Sequence, residues 1–197
     1  AHTINYLLEK SRIVTCAKNE RVYHAFYLLT KGRDAAKFGL KKVNEYKSTF
    51  AGKCIAREDA DDTEDFLEVE KALEIIGMSV EEREEVWKTV GGCLVAQNIE
   101  LASIDADSTC VQPSTREALE HASRLWGVAA DKLEREFLST TTTVRGETFT
   151  MKLRLAVAID MRDSLCKHVY EKLFQALVTR INDSTDVEGD YTNSSIG

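Results

Sequence analysis

The sequence predicts a mainly α fold: a multi-helix bundle around one long central helix, with an N-terminal strand and a small β-hairpin insertion. Three observations carry this. The stretch from Met151 to Asn182 contains neither Pro nor Gly, and its apolar residues recur at the three-and-four spacing of a helix face. Upstream, apolar runs of the same period are punctuated by helix start and stop signals. One segment, Ser139 to Met151, departs from that pattern: it is rich in Thr and alternates in the manner of strands.

With 197 residues, 43% of them hydrophobic and one of them Pro, the chain is long enough for a single core of useful size. No apolar run approaches the ~18 residues of a membrane-spanning helix. The net charge of −7 is unevenly spread: residues 1–53 carry 11 basic and 4 acidic groups, residues 54–100 carry 4 and 14. Overall acidity argues against general nucleic-acid binding, and Lys37, Lys41, Lys42 and Lys47 read as the wet face of a helix. The five cysteines form no C-x-x-C pair, which suits reduced thiols in a cytosolic protein. The four scattered histidines argue against a zinc site.

Taken in order, Thr3 to Leu8 alternates at Ile4, Tyr6 and Leu8 and reads as a strand. Asn19 is placed to cap a helix whose face is Val22, Phe26 and Leu29 and whose stop is Gly32. Tyr23, His24 and Tyr27 within it read as packing residues. A weaker helix is expected over Asp34 to Tyr46. Ser48 to Asp62 reads as a connector, and its acidic run Glu58, Asp59, Asp61 and Asp62 as a solvated loop, because it lacks the Gly and terminal Glu of a calcium loop. Asp62 or Thr63 opens a helix with Phe66, Val69, Leu73 and Ile76 on one face, stopped by Gly77.

Ser79 to Glu82 matches a capping box and starts a helix faced by Val86, Trp87, Val90 and Leu94. Gly91 and Gly92 inside it cost ~1 kcal/mol each relative to Ala and so imply close helix packing. Ala102 to Pro113 reads as a polar loop. Ser114 to Glu117 matches a second capping box, followed by a helix with Leu119, Ala122, Leu125 and Trp126 inward and Gly127 as its stop. A shorter helix runs from Asp131 to Leu138, with Leu133 and Phe137 inward. The Thr-rich segment then reads as a β-hairpin around Gly146. The long helix follows, and its double apolar stripe predicts burial over most of its circumference. Asp183 to Ser195 is polar and reads as a surface loop.

Several of these stretches are similar to one family. DSLCK at Asp163 to Lys167, followed by HVYEKLF and LVTRIN, resembles the D-A-L-A-K, x-x-Y-x-x-L-F, W-L-V-x-x-I-N helix of the myosin motor domain. NYLLEKSRIV at Asn5 to Val14 and ERVYHAFYLL at Glu20 to Leu29 resemble the segment after switch I. FLEVEKALEIIGMSVEEREEVWKTVGGCLVAQNIEL, Phe66 to Leu101, resembles the block that follows. The resemblance covers most of the chain, in order. It implies a single helical subdomain over residues 1–197, the upper-fifty-kilodalton part of a larger motor, cut between switch I and switch II. It also implies an unpaired strand at Thr3 to Leu8 whose sheet partners lie outside the chain.

By the same resemblance, residues 139–151 occupy the place of the family's actin-contacting cardiomyopathy loop. Glu147 stands 16 residues before Asp163, where the family places an acidic or phosphorylatable residue. The implied F-actin contacts are Thr143, Val144, Arg145, Gly146, Glu147, Thr148 and Lys152. Arg145 and Lys152 would supply attraction to an acidic surface, with Glu147 tuning it. The loop Ala102 to Pro113 is a second implied contact. The other implied partner is the rest of the myosin head, in a cytoplasmic, cytoskeletal setting.

The chain contains no G-x-x-x-x-G-K-[ST] loop and no spacing that argues for a nucleophile–base pair. No catalytic, cofactor or metal residue is therefore assigned within it; ATP and magnesium are implied for the parent motor. The alternative reading is a stand-alone helical protein-binding or scaffold module without ATPase activity.

Overall fold

The computed structural model describes residues 3–4, 7–32, 35–58 and 60–185. Among them run seven α-helices: α1 (His24–Lys31), α2 (Lys47–Ala51), α3 (Asp62–Ile75), α4 (Val80–Ala96), α5 (Arg116–Trp126), α6 (Ala130–Leu138) and α7 (Leu155–Thr185). Two antiparallel hairpins complete the fold, β1 (Leu101–Ser103) with β2 (Thr109–Val111), and β3 (Ser139–Val144) with β4 (Glu147–Lys152). The fold is mainly α, as the periodicity predicts.

Helix α4 is the most enclosed element. Its start is the predicted capping box: Ser79 Oγ accepts from Glu82 N at 3.2 Å, and Glu82 Oε2 accepts from Ser79 N at 2.7 Å. From Val90 to Ala96 every residue is buried. Of the two glycines, Gly92 is the one this packing requires. A Cβ on Gly91 would stand 3.5 Å from both Leu125 of α5 and Leu29 of α1, and Gly92 lies directly under the Trp126 indole. Helix α4 thus packs on α1, α5 and α7 at once, around Phe26, Leu29, Phe66, Leu94, Leu119 and Phe137.

Helix α7 is as long as predicted, 31 residues or about 45 Å. Its burial is not as predicted. Only Ala158 and Cys166 are buried; Leu155, Ile159, Val169, Tyr170, Leu173 and Leu177 are half-covered, while Val157 and Met161 face outward. Most of its contacts are with α4, α6 and the neighbouring turns, so one side is packed and the other is open. The helix also continues through Asp183 to Thr185, which the sequence reads as the start of a loop; residues 186–195 of that stretch lie outside the described residues.

Other local expectations change for identifiable reasons. Thr3, Ile4, Leu7 and Leu8 form no strand, and Ile4 and Leu7 are exposed. Thr3 instead exchanges two hydrogen bonds with the Asn182 side chain at the far end of α7 (2.6 and 2.9 Å); Asn5 and Tyr6 lie outside the described residues. Asn19 caps nothing: at φ 66° it occupies a turn and donates its N–H to Gly52 O at 2.7 Å, and α1 begins only after Tyr23.

The weaker helix expected over residues 34–46 is a turn followed by a 3-10 segment, Val43–Glu45; Asp34 lies outside the described residues. Side chains have taken the backbone groups a helix would need. His121 Nε2 lies 2.7 Å from Phe38 O, and Lys41 N donates to Tyr46 Oη at 2.8 Å. The connector after it contains α2, whose buried Thr49 donates its hydroxyl to Val43 O. Asp61 caps α3 through Thr63 N (2.8 Å), but Asp62 is no solvated loop residue. It is buried against Arg21, with Arg57 beside it.

Residues 102–113 are not an irregular loop. Leu101↔Val111 and Ser103↔Thr109 close a hairpin, anchored by the buried Leu101, Thr109 and Val111. The second capping box does not form: Pro113–Thr115 is a 3-10 turn, and the Thr115 hydroxyl accepts from Glu100 N at 3.0 Å instead. Gly127 stops α5 at φ 64°, and Leu133 and Phe137 of α6 point inward, both as predicted. Among the described residues no helix is long and apolar enough to cross a membrane.

Candidate functional site

The predicted site residues lie on the β3–β4 hairpin, and the register shows how they are divided. Val144 pairs with Glu147, Thr143 with Thr148, Thr142 with Phe149, Thr141 with Thr150, Thr140 with Met151 and Ser139 with Lys152. Paired residues share a face and successive pairs alternate. Thr143, Thr148 and Lys152 therefore lie on one face, with Thr141 and Thr150. Val144 and Glu147 lie on the other, with Phe149 and Met151. The two-residue turn is Arg145-Gly146, both at positive φ (54° and 85°), the arrangement that matches strand twist in a tight hairpin.

All of β4 is exposed, as is β3 beyond Thr140. Val144, Phe149 and Met151 keep about half their surface in water, on a single strip. Their exposure is a feature that spacing alone did not single out, although the alternation at Phe149 and Met151 carried the signal. The opposite face is a threonine ladder, with the Thr143 and Thr148 hydroxyls 3.4 Å apart. The two cations expected to supply attraction stand at opposite ends of the hairpin. Arg145 is at the tip and Lys152 at the neck, roughly 20 Å of strand away.

The neck is held at several points. Leu153 is buried; its N–H donates to Leu138 O, the last residue of α6, at 2.9 Å. Its carbonyl accepts the buried Thr109 hydroxyl of β2 at 2.8 Å. Arg154 lies 3.7 Å from Asp107 on the neighbouring hairpin. Two residues after Leu153, α7 begins. The second predicted contact segment, β1–β2, therefore sits beside the base of the first. Its tip exposes Ile104, and an Asx turn from Asp107 N to Asp105 Oδ1 (2.9 Å) shapes it. The Asp105 carboxyl is held below the usual carboxylate range, first by the Ser108 side chain, then by the Asp107 N–H, and more weakly by the Lys152 charge.

The geometry defines a class: a helical domain that presents a short, exposed hairpin from a neck continuous with a long helix. The sequence matches the family described as myosin head (motor domain) over residues 1–197. The chain belongs to that family. It is similar to Myosin-1 of Arabidopsis thaliana, 37% identical over 194 residues, covering 97% of this chain and 17% of that protein. It is 34% identical to Myosin-3 of the same plant over 194 residues, again covering 97% and 17%. Against Myosin-3 of Candida glabrata the identity is 32% over 191 residues, covering 93% and 15%. The chain thus spans about a sixth of the length of the curated relatives it matches.

Myosin heads imply ATP and magnesium. The residues present do not fit either. The sequence has no phosphate loop of the G-x-x-x-x-G-K-[ST] type. Among the described residues no three His, Cys, Asp or Glu side chains come together to hold a metal ion.

Proposed function

We propose that the chain is the upper half of the actin-binding cleft of an ATP-driven, actin-based motor, acting as one helical subdomain over residues 1–197. Residues 139–151 contact F-actin, and β1–β2 adds a second contact beside them. The other partner is the rest of the motor head, which supplies the ATP and magnesium sites. The setting is cytoplasmic and cytoskeletal. The single observation that carries this reading is mechanical: an exposed hairpin whose pinned neck leads directly into a 31-residue helix. A load or a contact at the tip is delivered to α7, which spans the domain from that neck to the Thr3–Asn182 pair. Coupling of this kind biases two packings of the same parts.

The geometry favours the Val144, Phe149 and Met151 strip as the contact face, because large apolar groups yield most when a partner covers them. Glu147 shares that face and adds a fixed negative charge at its edge. Co-sedimentation with F-actin tests the reading. Phe149→Ser weakens binding about tenfold, the equivalent of ~1.4 kcal/mol, whereas Thr150→Ser on the other face leaves it unchanged. Glu147→Lys in the whole motor changes actin-activated turnover more than basal turnover. Equal effects of Phe149→Ser and Thr150→Ser, or equal changes in both turnovers for Glu147→Lys, overturn the assignment.

A further inference from the structure

The β3–β4 hairpin has no packing of its own to aim it: β4 is exposed throughout and only Ser139 and Thr140 of β3 are partly covered. A two-stranded ribbon of that kind is at best marginally stable alone. Its direction is therefore set at the neck. Three residues meet there. Leu138 ends α6 and passes straight into β3; Leu153 follows β4 and precedes α7; Thr109 belongs to β2. The Leu153 peptide is held from two sides, its N–H by Leu138 O (2.9 Å) and its carbonyl by Thr109 Oγ1 (2.8 Å). Leu153 and Thr109 are both buried, at 9% and 5% exposure. Water is not free to replace the hydroxyl there.

The two bonds differ in kind. The Leu138–Leu153 bond continues the β3–β4 ladder by one rung and holds the strands together, but it says nothing of where the pair points. The Thr109 bond joins the hairpin to a different sheet, 44 residues away in sequence. It is supported on the outside by the exposed Asp107–Arg154 pair at 3.7 Å, which is worth little by itself. Thr109 also pairs with Ser103 in the β1–β2 register, so the hydroxyl that reaches Leu153 is carried by a strand with its own fixed geometry.

We propose that Thr109 is a positioning residue: through Leu153 it fastens the β3–β4 hairpin to β1–β2, so that the two hairpins present one composite surface and move with the start of α7. Its consequence for F-actin rests on the proposed function; the clamp itself does not. A Val at this site keeps the shape and loses the hydroxyl. A Ser keeps the hydroxyl and loses a methyl group.

Hydrogen–deuterium exchange on the full chain reads the clamp directly. Thr109→Val raises exchange at Leu153 and along Glu147–Lys152 about tenfold, the equivalent of ~1.4 kcal/mol of local opening, while Val90–Ala96 in α4 keeps its protection. Thr109→Ser retains wild-type exchange in the hairpin. F-actin affinity in co-sedimentation falls with Thr109→Val and is kept by Thr109→Ser. Unchanged hairpin exchange in Thr109→Val overturns the proposal. So does loosening of α4 to the same degree, since Thr109 would then support the whole fold and not the hairpin. If hairpin exchange rises while neither Thr109→Val nor Phe149→Ser alters F-actin binding, the clamp is upheld and the partner assignment is what fails.

Discussion

Arg21 and Asp62 form a two-pronged ion pair inside the domain, Nη1 to Oδ1 at 2.8 Å and Nη2 to Oδ2 at 2.7 Å, with both side chains under a tenth exposed. The guanidinium also reaches the carbonyls of Cys54 and Ile55 and lies 4.0 Å from the centre of the Tyr27 ring. One pair thereby joins the residues before α1, the connector and the first turn of α3. Removing one partner strands the other charge in a place that water does not reach. Asp62→Ala is expected to cost on the order of 3–5 kcal/mol, measured by urea unfolding. A loss below 1 kcal/mol would show that the pair contributes little.

The same pair makes stability pH-dependent. Burial alone would raise the Asp62 pKa, but the hydrogen bonds and charge of Arg21, with Arg57 behind it, outweigh burial and lower it. A carboxylate depressed in the folded state contributes stability that is present above its unfolded pKa of about 3.9 and is lost as pH falls through the lower folded value. The wild type therefore loses stability below about pH 4, and Asp62→Asn loses less over that range. Parallel acid limbs for the two proteins would contradict this.

The two neighbouring glycines of α4 should respond oppositely to Ala. At Gly92 the new Cβ falls 2.6 Å from Trp126 Cε2, and the ring is tied down by its N–H to Thr89 O at 3.2 Å. Overpacking of this kind costs about 1–3 kcal/mol, more than the ~1 kcal/mol gained in helix propensity. At Gly91 the nearest atoms stand 3.5 Å away, ordinary contact, so the propensity gain remains. Thermal unfolding should place Gly92→Ala below the wild type and Gly91→Ala at or above it.

Arg145 holds a left-handed conformation at the hairpin tip, φ 54°, which Asn adopts more readily. Arg145→Asn is expected to slow amide exchange in β3 and β4. Gly146→Val, at φ 85°, should speed it, because a β-branched residue is strained there. The core amides of α4 should not respond to either change.

Cys93 and Cys166 face each other across α4 and α7, each thiol directed at the other's carbonyl, at 3.7 and 3.8 Å. Burial pushes the Cys93 thiol well above its ordinary value and the Cys166 thiol to about 12. Both should stay unlabelled by a thiol reagent at pH 8 while the fold holds, because the thiolate is the reactive form. Cys16, Cys54 and Cys110 are partly exposed and are the residues that label first. Labelling of all five at one rate in the native protein would rule this out.

Much of the helical framework was legible because its signals are local. The Ser79 capping box, the stops at Gly32 and Gly127, and the inward faces of α5 and α6 depend on residues within one or two turns of each other. So does the hairpin at Arg145-Gly146, where strand alternation and turn chemistry agree. The failures are equally physical. Residues 35–46 have helical spacing, but His121 and the Tyr46 hydroxyl claim their backbone groups. Asp62 stands in an acidic run that reads as solvated until Arg21, 41 residues earlier, comes to meet it. The Thr-rich segment reads as a hairpin and is one, yet the division of its residues into two faces and the distance from Arg145 to Lys152 required the register.

By itself, then, the sequence determined the helix-rich class, the length of α7, the close approach at Gly92 and membership in a family whose motifs run the length of the chain. These follow from periodicity, caps and residue size, which act between near neighbours. Only the tertiary structure decided that α4 and not α7 is the enclosed helix, that residues 101–111 form a second hairpin, and that Thr109 and Leu153 join the two hairpins at their base. Such facts depend on which surfaces find each other across tens of residues. There a single buried hydroxyl or carboxylate must meet its partner or pay the full cost of losing water.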